Sequence, residues 1–159
     1  MLTLTYSQLL ADLEAAAQKA SSVEALMQTI VERLRDNLPA YNWVGFYMIE
    51  EKPGTEPMLI LGPFVGADTP HKRIPLNQGI CGAAASTGET VVVDDVHSDP
   101  RYLACSIETR SEIVAPIFAN GKVVGELDID SHRPSAFCGE DRQLVESCAA
   151  LVGRYLERK

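Results

Sequence analysis

The run "GELDID" (125–130) sets Glu126, Asp128 and Asp130 at alternate positions. In a β-strand alternate side chains share one face and lie about 6.6–6.8 Å apart, so the three carboxyls form a row while Leu127 and Ile129 face the other way. Such a row is either a solvated sheet face or a cluster of carboxylates in a cleft. In a cleft its chemistry is specific: crowded like charges raise one another's pKa and leave a neutral acid able to donate a proton near neutral pH. The members that stay ionised suit an ammonium group or a divalent cation. Glu112 belongs to the apolar run that precedes this one, and Asn120-Gly121 between the two is a favoured pair for a two-residue hairpin turn. That turn places Glu112 opposite Ile129, between the two aspartates, and assembles an acidic patch from both strands.

The other reactive side chains are cysteines. Cys105 sits in "RYLACSIETRSEIV" (101–114), a polar segment with Arg101 and Arg110 nearby, and its residue type there suits packing or nucleophilic attack equally. Cys81 follows Gly79 at the start of a short helical stretch, "QGICGAAASTG" (78–88). It is either a small packing residue or a thiolate whose pKa the helix N-terminus depresses. Cys148 falls in the apolar stripe of the last helix, and Cys138 just precedes that helix with no evident role. No pair has CxxC spacing, which argues against a zinc knuckle. His71, His97 and His132 are too scattered in sequence to suggest a metal triad. A His97–Cys105 pair would lack a third member and an oxyanion hole. Trp43 and Tyr47, four apart in "NWVGFYMIE" (42–50), share a strand face and either fill the core or wall an apolar pocket.

Elements that could position these groups follow from periodicity. Residues 7–36 carry helical spacing with a break near Ala20, where Ser21 and Glu24 form a capping box. Strands are expected at 42–50, 58–61, around 73–76, at 90–95 and in the hairpin 112–130, where Pro116 marks an edge strand or a bulge. A helix over 140–158 closes the chain, with Leu144, Val145, Cys148, Leu151, Val152 and Tyr155 on one stripe. The order implies an α+β domain spanning 1–159, an antiparallel sheet with the terminal helices packed on one face. A net charge of −8 disfavours nucleic acid and anionic membranes as partners. The sequence lacks an apolar run of membrane length, and its N-terminus lacks the basic region of a secretory signal, which points to the cytoplasm and to free thiols.

Taken in order, "NWVGFY", "LGPFVG", "RIPLNQGICG", "DDVH", "LAC" followed by "SEIVAPI", and "GELDIDS" resemble a GAF domain over about 41–144, and more narrowly the free methionine-(R)-sulfoxide reductase family. The resemblance implies a GAF fold with short helices and loops over a ligand pocket. It implies that Cys105 attacks the sulfoxide of free methionine sulfoxide, that a second cysteine closes a disulfide, and that a thioredoxin-like dithiol reduces it. Glu112, Asp128 and Asp130 match the family's acidic substrate-binding residues, and Trp43 and Tyr47 match its aromatic pocket walls. No cofactor or metal is implied. The family's usual resolving cysteine lies ten residues upstream of the position of Cys81, where this chain has His71, and the family's Asp after the catalytic cysteine is Ser106. Cys81 is then the family-like partner left for Cys105, unless an external thiol reduces the sulfenic acid. The rival reading is a stand-alone ligand-binding GAF module without catalysis, and a third is a metal site on Glu126, Asp128 and Asp130. The first and last helices carry apolar faces suited to a homodimer.

Overall fold

The computed structural model describes residues 4–103 and 107–158. Two helices open the chain, α1 (Tyr6–Lys19) and α2 (Val23–Asn37). Thr5 and Gln8 form a reciprocal capping box at α1, whereas α2 is capped by Ser22, whose hydroxyl accepts from the Ala25 amide. The expected Ser21–Glu24 box is therefore one residue out of phase: Val23, which is buried, must face the core, and that rotation fixes Ser22 as the cap.

Six strands make one antiparallel sheet in the order β3-β2-β1-β6-β5-β4, from β1 (Trp43–Glu50), β2 (Met58–Val65), β3 (Arg73–Pro75), β4 (Val91–Val93), β5 (Ser111–Ala119) and β6 (Lys122–Ser131). Helix α3 (Gly79–Thr87) lies between β3 and β4, and α4 (Gly139–Glu157) closes the chain. Strand β2 runs to Val65, past the expected end at 61. Gly62 and Pro63 are absorbed where the β1–β2 register shifts between Gly45 and Tyr47, and β3 pairs only with residues 58–60, so Pro63 needs no donor on that side.

One sheet face carries Val44, Phe46, Ile113, Ala115, Ile117, Leu127 and Ile129 and buries them against α1, α2 and α4. The apolar stripes of α1 and α4 pack into this core, where Leu9, Leu13, Val145, Cys148 and Val152 are all fully buried. Burial pushes the Cys148 thiol up to about 12, as suits a packing residue. A Cβ on Gly153 would sit 2.1 Å from the Phe118 carbonyl oxygen, so α4 crosses β5 this closely only because residue 153 has no side chain. Gly153→Ala is expected to cost about 3 kcal/mol or more, read as a lower urea midpoint. A wild-type midpoint would mean that the helix slides without penalty. No helix among the described residues is long and apolar enough to cross a membrane.

Candidate active site

The opposite sheet face holds the acids. Strand β1 aligns Trp43 with Asp130, Gly45 with Asp128 and Tyr47 with Glu126. Strand β5 aligns Glu112 with Asp130, Val114 with Asp128 and Pro116 with Glu126. Paired residues share a face, so Glu112, Glu126, Asp128, Asp130, Trp43 and Tyr47 all point the same way. The expected pairing of Glu112 with Ile129 is off by one residue. Asn120 and Gly121 do form the tight turn, both with positive φ, but a bulge between Ile117 and Phe118 then shifts the register. Without it Glu112 would face the helical core with Ile129. Pro116 lies beside this bulge, beyond the last residue of β5 that β4 pairs. The proline and the bulge thus occur together, one step from the acidic row.

None of the four carboxyls is solvated: Glu112 is 5% exposed, Glu126 0%, Asp128 2% and Asp130 3%. The solvated-face reading of the acidic strand fails on this point. The Glu112 carboxyl lies close enough to Asp128 and Asp130 to hold the pKa of each down in part, against the burial that raises them. Both Glu126 oxygens, Asp128 Oδ1 and Asp130 Oδ1 have no hydrogen-bond partner among the described residues. Burial raises the pKa of Glu126 and Asp130 well above the ordinary carboxylate range, and the neighbouring Asp128 charge adds to both. Burial raises Asp128 as well, against the hydrogen bonds from Glu112 and Cys81 that pull it back.

Helix α3 roofs this face. Cys81 Sγ donates to Asp128 Oδ2 at 3.3 Å; Glu126 lies near the same thiol but receives no hydrogen bond from it. Burial pushes the Cys81 thiol up, and the charges of Asp128, Glu126 and Glu112 push it further. Of the two sequence readings of Cys81, a packing residue or a thiolate depressed by the helix N-terminus, the second does not hold: burial and three neighbouring carboxyls outweigh the helix end. Cys81 is a thiol here, and a donor.

Aromatic side chains wall the pocket. Trp43 stacks on Tyr47, ring centroids 6.3 Å apart, and on Phe64 at 5.6 Å. Its indole lies over Gly45, where a Cβ would come within 2.3 Å of the ring. Both aromatics also hold the segment between β2 and β3. Trp43 Nε1 donates to the Ala67 carbonyl at 3.0 Å, and the Tyr47 hydroxyl donates to the His71 carbonyl at 2.6 Å.

The space left beneath this roof is a cavity of about 20 Å³, lined by residues that include Tyr47, His71, Cys81, Leu103, Glu112 and Asp128. A larger hollow of about 700 Å³ between α4 and the β5 edge, lined in part by Phe118, Arg142 and Glu157, shares none of these residues. Cys105 lies outside the described residues, as does Ser106; Leu103, two positions earlier, lines the small cavity. His97 packs edge-on against Tyr102. Of the acids proposed for a metal from sequence, only Asp128 is retained. Among the described residues the donor atoms that converge, within 4.8 Å of one another, belong to Cys81, Glu112 and Asp128. Glu126 was visible in the acidic row, but only the structure shows it to be the most isolated carboxyl.

Sheet order, roofed acidic pocket and flanking helices are those of a GAF-type domain, and the GAF domain family model matches residues 22–156. The chain is 32% identical to the free methionine-R-sulfoxide reductase of Escherichia coli (strain K12), over 95% of this chain and 88% of that one. It superposes on the free methionine-R-sulfoxide reductase of Neisseria meningitidis, solved in complex with its substrate, with a TM-score of 0.88 at 33% identity, covering 96% of this chain and 88% of the other. The reduced form of the Staphylococcus aureus protein gives 0.87 at 34% identity, covering 98% and 99%. The chain belongs to the GAF family, in its free methionine-R-sulfoxide reductase branch.

Proposed function

We propose that this chain reduces free methionine-R-sulfoxide to methionine with thiols as the electron source. The observation that carries the reading is the set of four buried carboxyls beside Trp43 and Tyr47, three of which, Glu126, Asp128 and Asp130, have oxygens without a partner among the described residues. A free amino acid supplies what that pocket lacks: an ammonium group for an ionised carboxylate, a thioether-like stem for the aromatic wall, and a sulfoxide oxygen for a carboxylic acid to protonate. Asp130 and Glu112 are assigned to the ammonium group, and protonated Asp128 to the sulfoxide oxygen.

Cys105 is the nucleophile in this reading, on the match of its "LAC…SEIV" motif and on the position of Leu103 at the cavity. Its sulfur gains the oxygen and is oxidised to sulfenic acid, while the substrate sulfur gains two electrons and leaves as methionine. A thiol then attacks the sulfenic sulfur, water departs, and a dithiol such as a thioredoxin reduces the disulfide formed. A cavity of about 20 Å³ holds about one water, so the pocket must widen for substrate to enter.

Pre-reduced protein given methionine-R-sulfoxide and no reductant is expected to release about one equivalent of methionine per chain, measured by mass spectrometry. Cys105→Ser is expected to release none. Binding of the sulfoxide without any methionine release by the wild type would replace the enzyme with a ligand-binding module.

A further inference from the structure

We propose that the small cavity under α3 is also a zinc site, with Cys81, Glu112 and Asp128 as ligands. The three donors come from α3, β5 and β6, and their ligand atoms already lie within 4.8 Å of one another. Cys81 Sγ and Asp128 Oδ2 are 3.3 Å apart, a separation that one zinc ion with bonds of about 2.0–2.3 Å spans without rearrangement. The cavity volume of about 20 Å³ suits an ion or a single water and is far too small for an amino acid in this closed state.

A second, independent feature points the same way. Asp128 Oδ1 and both oxygens of Glu126 are buried and find no donor among the described residues, so the pocket holds negative potential that a divalent cation would neutralise. Donor type selects the ion. A sulfur ligand among carboxylates favours zinc, whereas calcium needs six to eight oxygens and magnesium keeps most of its waters. On binding, the Cys81 proton leaves to solvent, and no electron moves.

Zinc and the sulfoxide would compete for Glu112 and Asp128. The inhibitory consequence rests on the reductase reading; the metal site itself does not. The test titrates reduced, full-length chain with zinc alone against a chromophoric chelator. One equivalent should bind, unchanged in Cys138→Ser and weakened more than about 100-fold in Cys81→Ser, beyond the ~10–100-fold that loss of a merely supporting group brings. Failure to hold zinc against the chelator, or binding that survives Cys81→Ser, would overturn the site. Should Cys81→Ser misfold, the Cys105→Ser/Cys138→Ser double variant loaded with cobalt must still show a near-ultraviolet thiolate-to-metal band, and its absence overturns the site equally. In turnover, zinc should raise the apparent KM for the sulfoxide, reversibly on chelation. Zinc held by Cys81 without effect on methionine release would count against the reductase reading of this pocket and leave the metal site intact.

Discussion

Asp128→Asn is expected to lower kcat/KM for free methionine-R-sulfoxide by about 10²–10³ and, in the same protein, to raise the unfolding temperature. Both effects have one cause. Asp128 is fully buried, one of its oxygens is unpartnered, and it sits among Glu112, Glu126 and Asp130. Burial holds it above its ordinary pKa despite the neighbours that pull it back, which makes it a proton donor and also makes it costly to keep. The amide matches the carboxyl in shape. Its oxygen can accept from Cys81 Sγ as Asp128 Oδ2 does, and its NH2 adds a donor among carboxyls whose oxygens lack one. Repulsion falls while no hydrogen bond is orphaned, so stability rises. Proton delivery to the sulfoxide oxygen disappears, so the loss should fall mainly on kcat, whereas Asp130→Asn should act mainly on KM through the ammonium group. Activity close to wild type in Asp128→Asn, or a drop in both activity and unfolding temperature, would contradict this account.

Much of this site was legible in the residues because strands expose it by arithmetic. Alternation places Glu126, Asp128 and Asp130 together, and the four-residue spacing of Trp43 and Tyr47 puts both aromatics on one face. The Asn120-Gly121 turn announced the hairpin. What stayed hidden depends on events that no local pattern encodes. The bulge at Ile117/Phe118 is invisible to turn chemistry, yet it decides which face Glu112 joins. The state of Cys81 follows from burial and from three carboxyls arriving from two distant strands, which is why its helix position alone left packing and a depressed thiolate both open. Cys138, without evident role in the sequence, is the N-cap residue of α4: its backbone N–H donates to Asp141 Oδ2 at 2.9 Å and its thiol to the same oxygen at 3.0 Å. The partners that complete that network, Tyr6 and Tyr41, are more than ninety residues away in the chain and unreadable from the motif.

The Asp141 network and the pocket acids should together give a stability profile with a maximum in mildly acidic solution. Asp141 is buried, which alone would raise its pKa, but hydrogen bonds from Tyr41 at 2.5 Å, Cys138, and Tyr6 at 2.7 Å outweigh burial and hold it below the ordinary value. A group depressed on folding contributes stability that is present above its unfolded pKa of about 3.9 and is lost as pH falls through the folded value. Glu126, Asp128 and Asp130 are shifted the other way. Their contribution is complete below the unfolded carboxylate range and is lost as pH rises through their folded values, because the pocket must then either ionise or hold its protons against the solvent. Thermal unfolding followed from about pH 3 to pH 9 should therefore rise, peak above about pH 4 and decline. Glu126→Gln removes the carboxyl with two unpartnered oxygens and is expected to flatten the declining limb. Relief of only about 2 kcal/mol at neutral pH would raise the unfolding temperature by roughly 4–8 °C. Asp141→Asn is expected to lower stability at neutral pH and to erase the acidic limb, since a neutral side chain cannot accept four hydrogen bonds as the carboxylate does. A decline above neutrality that persists unchanged in Glu126→Gln would contradict the role given to Glu126 and leave Asp128 and Asp130 as the source of that limb.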